Sequence, residues 1–159
     1  MMGAVASEIE RKFLVPAVPG SEELGPGARL RQGYLAIDGR VEVRLRLSEG
    51  SATLTVKAGA GLARDEVEAE LSAVEAGELW PHTEGRRVEK VRYRTPLATG
   101  EVTDVDVYDG ALAGLATAEV EFTSEHVARA FMPPDWFGRE LTGETGWSNA
   151  SLAVHGRPS

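Results

Sequence analysis

The sequence has no cysteine among its 159 residues, which excludes disulfide bonds and thiolate metal sites. A chain without cysteine fits a reducing cytoplasm. No apolar run approaches the roughly 18 residues that a membrane-spanning helix needs. Residues 1–7 lack the basic flank and the apolar stretch of a signal peptide. These absences lead us to expect a cytoplasmic protein without a membrane partner.

Positive charge is also scarce, because 17 basic residues face 25 acidic ones and the net charge is −8. A protein that binds duplex nucleic acid needs a basic surface, so the net charge argues against this class of partner. The length and a hydrophobic fraction of 42% are those of a globular protein with a substantial core. We expect a single domain over residues 1–159.

What the sequence does contain is a series of short segments in which apolar and polar residues alternate. Alternation with a period of two is typical of β-strands. Tight turns are predicted at Asp38-Gly39 and Glu49-Gly50, and residues 58–63 are expected to form a third connection. Eight strands are predicted, at residues 8–15, 30–37, 41–47, 52–58, 66–71, 88–94, 102–108 and 118–123.

Helices are predicted in the second half of the chain. Residues 72–81 begin with a capping box, Ser72-x-x-Glu75, and end at a proline. Residues 124–132 place apolar side chains on one face before two prolines, and a third helix is expected between residues 134 and 141. The pattern predicts an α+β, mainly β fold, either an antiparallel barrel or a sandwich with helices outside.

Within most strands the polar positions carry charge of a single sign. The solvated face of a sandwich would explain one such strand, but neighbouring like charges are unfavourable by a few tenths of a kcal/mol or more. Clustered carboxylates persist around a cation, and clustered basic groups persist around a multivalent anion. The pattern therefore favours a closed barrel with the charged faces inside, where a phosphate chain carrying a divalent metal would meet an acidic and a basic wall.

The first strand carries Glu8-x-Glu10-x-Lys12, which is the ExExK signature of the CYTH superfamily, the triphosphate tunnel metalloenzymes. The motifs that follow resemble this family along nearly the whole chain, and its short bacterial members in particular. They are Arg31-Gln32-Gly33-Tyr34-Leu35, Glu42-x-Arg44-x-Arg46, Thr55-x-Lys57, Glu68-x-Glu70, Lys90-x-Arg92, Asp106 and Glu119-x-Glu121. The resemblance implies an eight-stranded antiparallel tunnel that processes triphosphate compounds with Mg²⁺ or Mn²⁺.

The resemblance also implies a role for each charged position. Lys12 and Tyr34 would assist catalysis, and whether Lys12 is a base or a phosphate clamp is open. Glu68 and Glu70 would orient basic neighbours or water. Phosphate oxygens would be held by Arg31, Arg44, Arg46, Lys57, Lys90 and Arg92. One or two metal ions would be held by Glu8, Glu10, Asp106, Glu119 and Glu121.

The resemblance to the short bacterial members implies that the substrate is inorganic tripolyphosphate, cleaved to pyrophosphate and phosphate, and the lack of an evident base-recognition element agrees with this. A class IV adenylate cyclase is the second interpretation, but such cyclases usually carry a His-Phe pair shortly before ExExK, and residues 1–7 contain none. A thiamine triphosphatase is a third interpretation, and a non-catalytic polyphosphate-binding module is a fourth.

Two features outside the charged faces bear on partners. Outward apolar side chains such as Val105 and Val120 could pack on helices or on a second subunit, so a monomer and a homodimer are both compatible with the sequence. Arg86 and Arg87 could guide an anion toward the tunnel, but a solvated turn is the preferred interpretation of this pair.

Overall fold

A computed structural model describes residues 6–59 and 63–159 of the chain. Within them eight strands form, as predicted, and the glycines of both predicted tight turns adopt positive φ, 54° at Gly39 and 76° at Gly50. The central residues of the expected 58–63 connection lie outside the described residues. The strands are β1 (Ala6–Leu14), β2 (Gly27–Asp38), β3 (Val41–Ser48), β4 (Ser51–Ala58), β5 (Ala63–Leu71), β6 (Arg87–Pro96), β7 (Val102–Tyr108) and β8 (Ala116–Glu121).

The strands close into one barrel in the order β1-β5-β4-β3-β2-β6-β7-β8, with β8 paired back to β1. Every neighbouring pair is antiparallel. The sequence pattern allowed a barrel or a sandwich, and the barrel is confirmed. Because successive side chains of a strand point to opposite faces, closure places one face of every strand inside.

Helices are short and lie outside the barrel. They are α1 (Ser21–Leu24), α2 (Ala73–Leu79), α3 (Glu125–Ala130) and α4 (Asn149–His155), with 3-10 turns at Trp80–Thr83, Gly110–Leu112 and Thr145–Trp147. The predicted capping box of α2 is present, since Ser72 and Glu75 exchange side-chain to backbone hydrogen bonds. Within the described residues, no helix is long and apolar enough to cross a membrane.

The prediction of a helix between residues 134 and 141 is wrong. This segment runs beside the end of β1 and exchanges backbone hydrogen bonds with it, from Gly138 N to Leu14 O (2.7 Å) and from Leu141 N to Lys12 O (2.7 Å). Its polar backbone groups are satisfied by the strand, so a helix is not needed to satisfy them. α1 and α4 were not predicted.

The apolar core lies on the outer face of the barrel. Val105 and Val120 are fully buried beneath Phe131 and Phe137, which the C-terminal part of the chain contributes. The sequence allowed these valines to be covered either by helices or by a second subunit. The structure shows that residues of the same chain cover them. A second cluster, which includes Tyr108, Leu141, Trp147 and Leu152, packs α4 against the end of the barrel.

Candidate functional site

A cavity of about 1160 Å³ runs through the barrel. It reaches from Ile37 at the end of β2 to Val102 at the start of β7, and residues of the C-terminal segment from Leu141 to His155 line part of it. The barrel walls contribute charged side chains, namely Glu8, Glu10, Lys12, Glu42, Arg44, Arg46, Lys57, Arg64, Glu66, Glu68, Arg92, Arg94, Asp104, Glu119 and Glu121. Acidic and basic groups therefore share one interior space.

Three carboxylates meet at one point of this wall. Glu8 and Glu10 are two positions apart on β1, and Glu121 lies directly opposite Glu10 in the ladder with β8. Each residue contributes one carboxylate oxygen, and these three oxygens all lie within 4.8 Å of one another. Hard oxygen donors in this number and spacing fit a divalent cation such as Mg²⁺ or Mn²⁺.

The electrostatics of this carboxylate group agree with a cation site. Burial, with the charges of Glu119 and Glu8, raises the pKa of Glu10 to about 9. The pKa of Glu121 is also raised, by burial and then by the charge of Glu8. Glu10 therefore keeps a proton at neutral pH unless a cation balances the group.

Lys57 reaches this group from β4. Its ammonium lies 2.8 Å from Oε2 of Glu8 and 3.4 Å from Oε2 of Glu66. Lys57 thus links the carboxylate group to the next acidic side chain of the cavity wall, and places an ammonium group beside these carboxylates.

Lys12 and Glu119 form a neighbouring ion pair. They lie opposite each other in the β1–β8 ladder, with 3.2 Å between Nζ and Oε1. Burial alone would raise the pKa of Glu119, but the charges of Lys12 and Arg92 outweigh it and hold that pKa well below its usual range. Glu119 is therefore an anion paired with Lys12, beside the carboxylate group rather than within it.

Asp106 has a different environment from the one expected of a metal ligand. Its carboxylate is fully buried and accepts hydrogen bonds from Lys90 (2.6 Å) and from Nε and Nη2 of Arg92 (2.7 and 2.8 Å). Burial would raise the pKa of Asp106, but the two cations hold it below its usual value. Burial lowers the pKa of Lys90 to about 7, against the pull of Asp106. The structure places Asp106 with two cations and not with the carboxylate group, because Asp106 lies next to Arg92 in the β6–β7 ladder.

The basic side chains of β3 line the opposite wall. Arg44 donates to Thr55 (3.4 Å), which donates to Glu68 (3.3 Å). Burial and the charges of Arg44 and Arg92 lower the pKa of Arg46 to about 10. The buried Nε atoms of Arg44 and Arg46 have no hydrogen-bond partner within the described part of the chain. Guanidinium groups held close together with unused donors suit a multivalent anion.

Tyr34 lies on β2 beside this wall and is 1% exposed. Burial raises its pKa to about 12, and the nearby charges of Arg44 and Lys12 only partly offset this. The phenol is therefore protonated at neutral pH, so it can donate a hydrogen bond and cannot serve as a base.

Four of the expected site residues do not line the cavity: Lys90 and Asp106, which are fully buried and paired with each other, and Arg31 and Glu70. Arg31 points outward, with its guanidinium 4.6 Å from the Trp80 ring centre and 3.4 Å from Glu89. The reason is its position, since Tyr34 faces the interior and Arg31, three residues earlier on the same strand, falls on the opposite face. Glu70 lies exposed at the end of β5, away from the cavity wall.

Two further residues belong to this region and were not predicted, and for a third the preferred interpretation was different. Arg64 lines the cavity, with 3.4 Å between its Nη2 and Oε2 of Glu42. The predicted fifth strand began at residue 66, so its alternation did not include Arg64. Asn149 accepts hydrogen bonds from the Tyr108 hydroxyl (2.6 Å) and Lys90 (3.4 Å), but no pattern in the sequence points to it. Arg86 was interpreted as part of a solvated turn, which is wrong, because its guanidinium binds backbone carbonyls and lines the cavity.

The chain is 44% identical over 149 residues to an inorganic triphosphatase of Nitrosomonas europaea, covering 93% of this chain and 97% of the relative. It is 36% identical over 150 residues to an inorganic triphosphatase of Acetivibrio thermocellus, covering 93% and 94% of the two chains. A crystal structure of an inorganic triphosphatase matches with a TM-score of 0.71 at 41% identity, covering 95% of this chain and 97% of the other. No family model matches the chain.

Proposed function

The chain belongs to the inorganic triphosphatase family of the CYTH superfamily, and from this premise we propose that it cleaves inorganic tripolyphosphate to pyrophosphate and phosphate with Mg²⁺ or Mn²⁺. It is a triphosphatase, an enzyme that hydrolyses triphosphate compounds. The absence of cysteine supports a cytoplasmic location.

One observation carries the choice of a metal-bound phosphate chain as ligand. A group of three carboxylates shares the barrel cavity with guanidinium groups whose buried Nε atoms have no partner in the described residues. An empty interior of this kind is costly in free energy, because buried charges need opposite charges or hydrogen bonds. A triphosphate carrying a divalent cation supplies both at once.

The carboxylates of Glu8, Glu10 and Glu121 would hold the cation. The chemistry that a divalent cation would supply at these carboxylates is charge neutralisation of phosphate oxygens, which favours attack by water at phosphorus. Glu8 is also held by Lys57, which keeps one side chain of the group fixed.

The basic wall would bind the phosphate chain. Arg44, Arg46, Lys57 and Arg92 line the cavity and offer donors to phosphate oxygens. Asp106 accepts two hydrogen bonds from Arg92 and fixes the plane of that guanidinium. We therefore assign to Asp106 the positioning of Arg92, and not metal binding. Positioning and charge neutralisation are the main contributions that a protein makes to phosphoryl transfer.

Lys12 and Tyr34 would act near the reacting phosphate. Lys12 lies 3.2 Å from Glu119, and we assign it the role of a phosphate clamp because this ion pair fixes its ammonium group in the cavity wall. The Tyr34 hydroxyl, protonated because its pKa is raised to about 12, would donate a hydrogen bond to a phosphate oxygen or to the leaving group.

A substrate panel tests the proposal. Tripolyphosphate, ATP and thiamine triphosphate are each incubated with Mg²⁺, Mn²⁺ or EDTA, and phosphate, pyrophosphate and cyclic AMP are measured. We expect the highest kcat/KM for tripolyphosphate and no turnover in EDTA. Cyclic AMP from ATP would indicate a cyclase, and a preference for thiamine triphosphate would indicate a thiamine triphosphatase. Binding of all three compounds without turnover would indicate a polyphosphate-binding module.

A further inference from the structure

The backbone of Tyr34 lies where the β2–β6 ladder ends. The last pair of that ladder is Gly33 with Arg87, so the next antiparallel pair would join Tyr34 and Arg86. One bond of that pair is present, from Tyr34 N to Arg86 O at 2.9 Å. A complete pair would add a bond from Arg86 N to Tyr34 O.

That second bond is replaced. Arg86 N donates instead to Thr83 O (2.9 Å), closing the turn that follows the 3-10 turn Trp80–Thr83. The Tyr34 carbonyl is therefore left for another donor, and the guanidinium of Arg86 supplies it, with 2.8 Å between Nε and Tyr34 O. A second guanidinium donor, Nη2, holds His82 O at 2.7 Å. Arg86 thus binds the backbone of Tyr34 at both its N–H and its carbonyl.

On its other side, β2 is irregular at the same residue. Tyr34 pairs with Arg44 and Ala36 pairs with Val43, so Leu35 is an extra residue between two regular pairs. Such a bulge bends the strand and directs the side chains beside it. The β3 ladder is thus interrupted next to Tyr34. On the β6 side, the backbone of Tyr34 is held by its two hydrogen bonds with Arg86.

We propose that Arg86 is a positioning residue for triphosphate hydrolysis, which sets the direction of the Tyr34 side chain by completing the β2–β6 ladder with its guanidinium. The inference rests on the proposed role of Tyr34. Arg86 acts through the backbone carbonyl of Tyr34 and not by contact with the reacting atoms.

A double-mutant cycle with Tyr34→Phe tests this on tripolyphosphate hydrolysis. Small displacements of a catalytic group cost up to about 100-fold in rate, so we expect Arg86→Gln to lower kcat by about 10- to 100-fold with KM nearly unchanged. In a Tyr34→Phe background, Arg86→Gln should lower kcat by less than about a further twofold, because the hydroxyl that Arg86 positions is absent. Equal losses in both backgrounds would overturn the proposal, and Arg86→Lys can be substituted in the same cycle if Arg86→Gln does not fold.

Arg87→Gln is the matched control. Arg87 is the first residue of β6. Its side chain donates to Thr83 Oγ1 (2.8 Å) and Trp80 O (2.9 Å) but does not bond to Tyr34. We expect a loss of stability similar to that of Arg86→Gln, with kcat within about twofold of the wild type because the backbone of Tyr34 is untouched. An equal fall of kcat in both variants would show that the turn acts only through stability.

A readout without turnover separates this inference from the proposed function. The ring NMR signals of Tyr34, assigned with Tyr34→Phe, should shift in Arg86→Gln and stay in place in Arg87→Gln. Unshifted signals in Arg86→Gln would overturn the positioning role. Shifted signals together with full activity of Tyr34→Phe would retain the structural link and remove the catalytic role of Tyr34, and with it the consequence for hydrolysis.

Discussion

Replacing Glu10 by glutamine should make the metal-free protein more stable and should reduce the stabilisation that a divalent metal gives. Glu10 lies in the carboxylate group with Glu8 and Glu121, where burial raises its pKa from 4.5 to about 9. Glutamine has nearly the same shape and carries no charge. The substitution therefore removes the electrostatic cost of the group along with one metal ligand.

The magnitude follows from the raised pKa. The folded protein keeps the Glu10 proton up to about pH 9, whereas the unfolded chain loses it near 4.5. The stability that this proton provides is thus complete below pH 4.5 and is lost as pH rises toward 9. At about 1.4 kcal/mol per pH unit, the wild type has lost at most about 4 kcal/mol by about pH 7.5. Glutamine avoids this loss, so the metal-free variant should melt up to about 10 °C higher at that pH.

Metal narrows this difference. A cation at 100 times its dissociation constant stabilises the folded wild type by about 2.7 kcal/mol. The variant lacks one of three ligands and should gain much less. Because Glu10 must release its proton to bind a cation, metal affinity of the wild type should also rise with pH between about 6 and 9.

Thermal unfolding of both proteins, with saturating Mg²⁺ or with EDTA, at several pH values, measures these effects. Glu70→Gln is the control, since Glu70 lies exposed at the end of β5, outside the carboxylate group. A Glu10→Gln protein that melts no higher than the wild type in EDTA would refute the electrostatic cost assigned to Glu10. Equal stabilisation of both proteins by Mg²⁺ would refute its role as a metal ligand.

Two other substitutions test the structure around the site. Asp106→Asn leaves Lys90 and Arg92 facing an uncharged amide, so we expect a loss of about 3–5 kcal/mol in the free energy of unfolding, with stabilisation by Mg²⁺ retained. A variant that has the free energy of unfolding of the wild type but is no longer stabilised by Mg²⁺ would indicate that Asp106 is a metal ligand. Gly33→Ala would place a Cβ 2.5 Å from both Cβ and Oγ1 of Thr83 and should cost about 1–3 kcal/mol, a cost that should be smaller in a Thr83→Gly background, where both atoms are absent. Additive losses in chemical denaturation would contradict that contact.

Much of the fold could be predicted because local patterns carry it. Alternation identified all eight strands, and the single-sign charge of their polar faces favoured closure over a sandwich. The segment between residues 134 and 141 could not be predicted, because its backbone bonds go to β1, more than a hundred positions earlier in the chain. Helix α4 is seven residues long and is held by packing against the barrel, which its own sequence does not reveal.

The site was predictable where side-chain direction decides it. Glu8 and Glu10 share a face because they are two residues apart, and the structure brings Glu121 to them. The same rule separates Arg31 from Tyr34, so the expectation that both line the cavity was internally inconsistent. Which carboxylates pair with cations could not be read from one strand at a time. The pairing of Asp106 with Lys90 and Arg92 depends on the register between β6 and β7.

The most direct test of metal-dependent triphosphate hydrolysis follows tripolyphosphate by ³¹P NMR in the presence of the purified protein. We predict that each molecule consumed yields one phosphate and one pyrophosphate, that the reaction requires Mg²⁺ or Mn²⁺, and that EDTA stops it. Turnover that continues in EDTA, or tripolyphosphate that persists unchanged with either metal, would contradict the assignment of this cavity to that reaction.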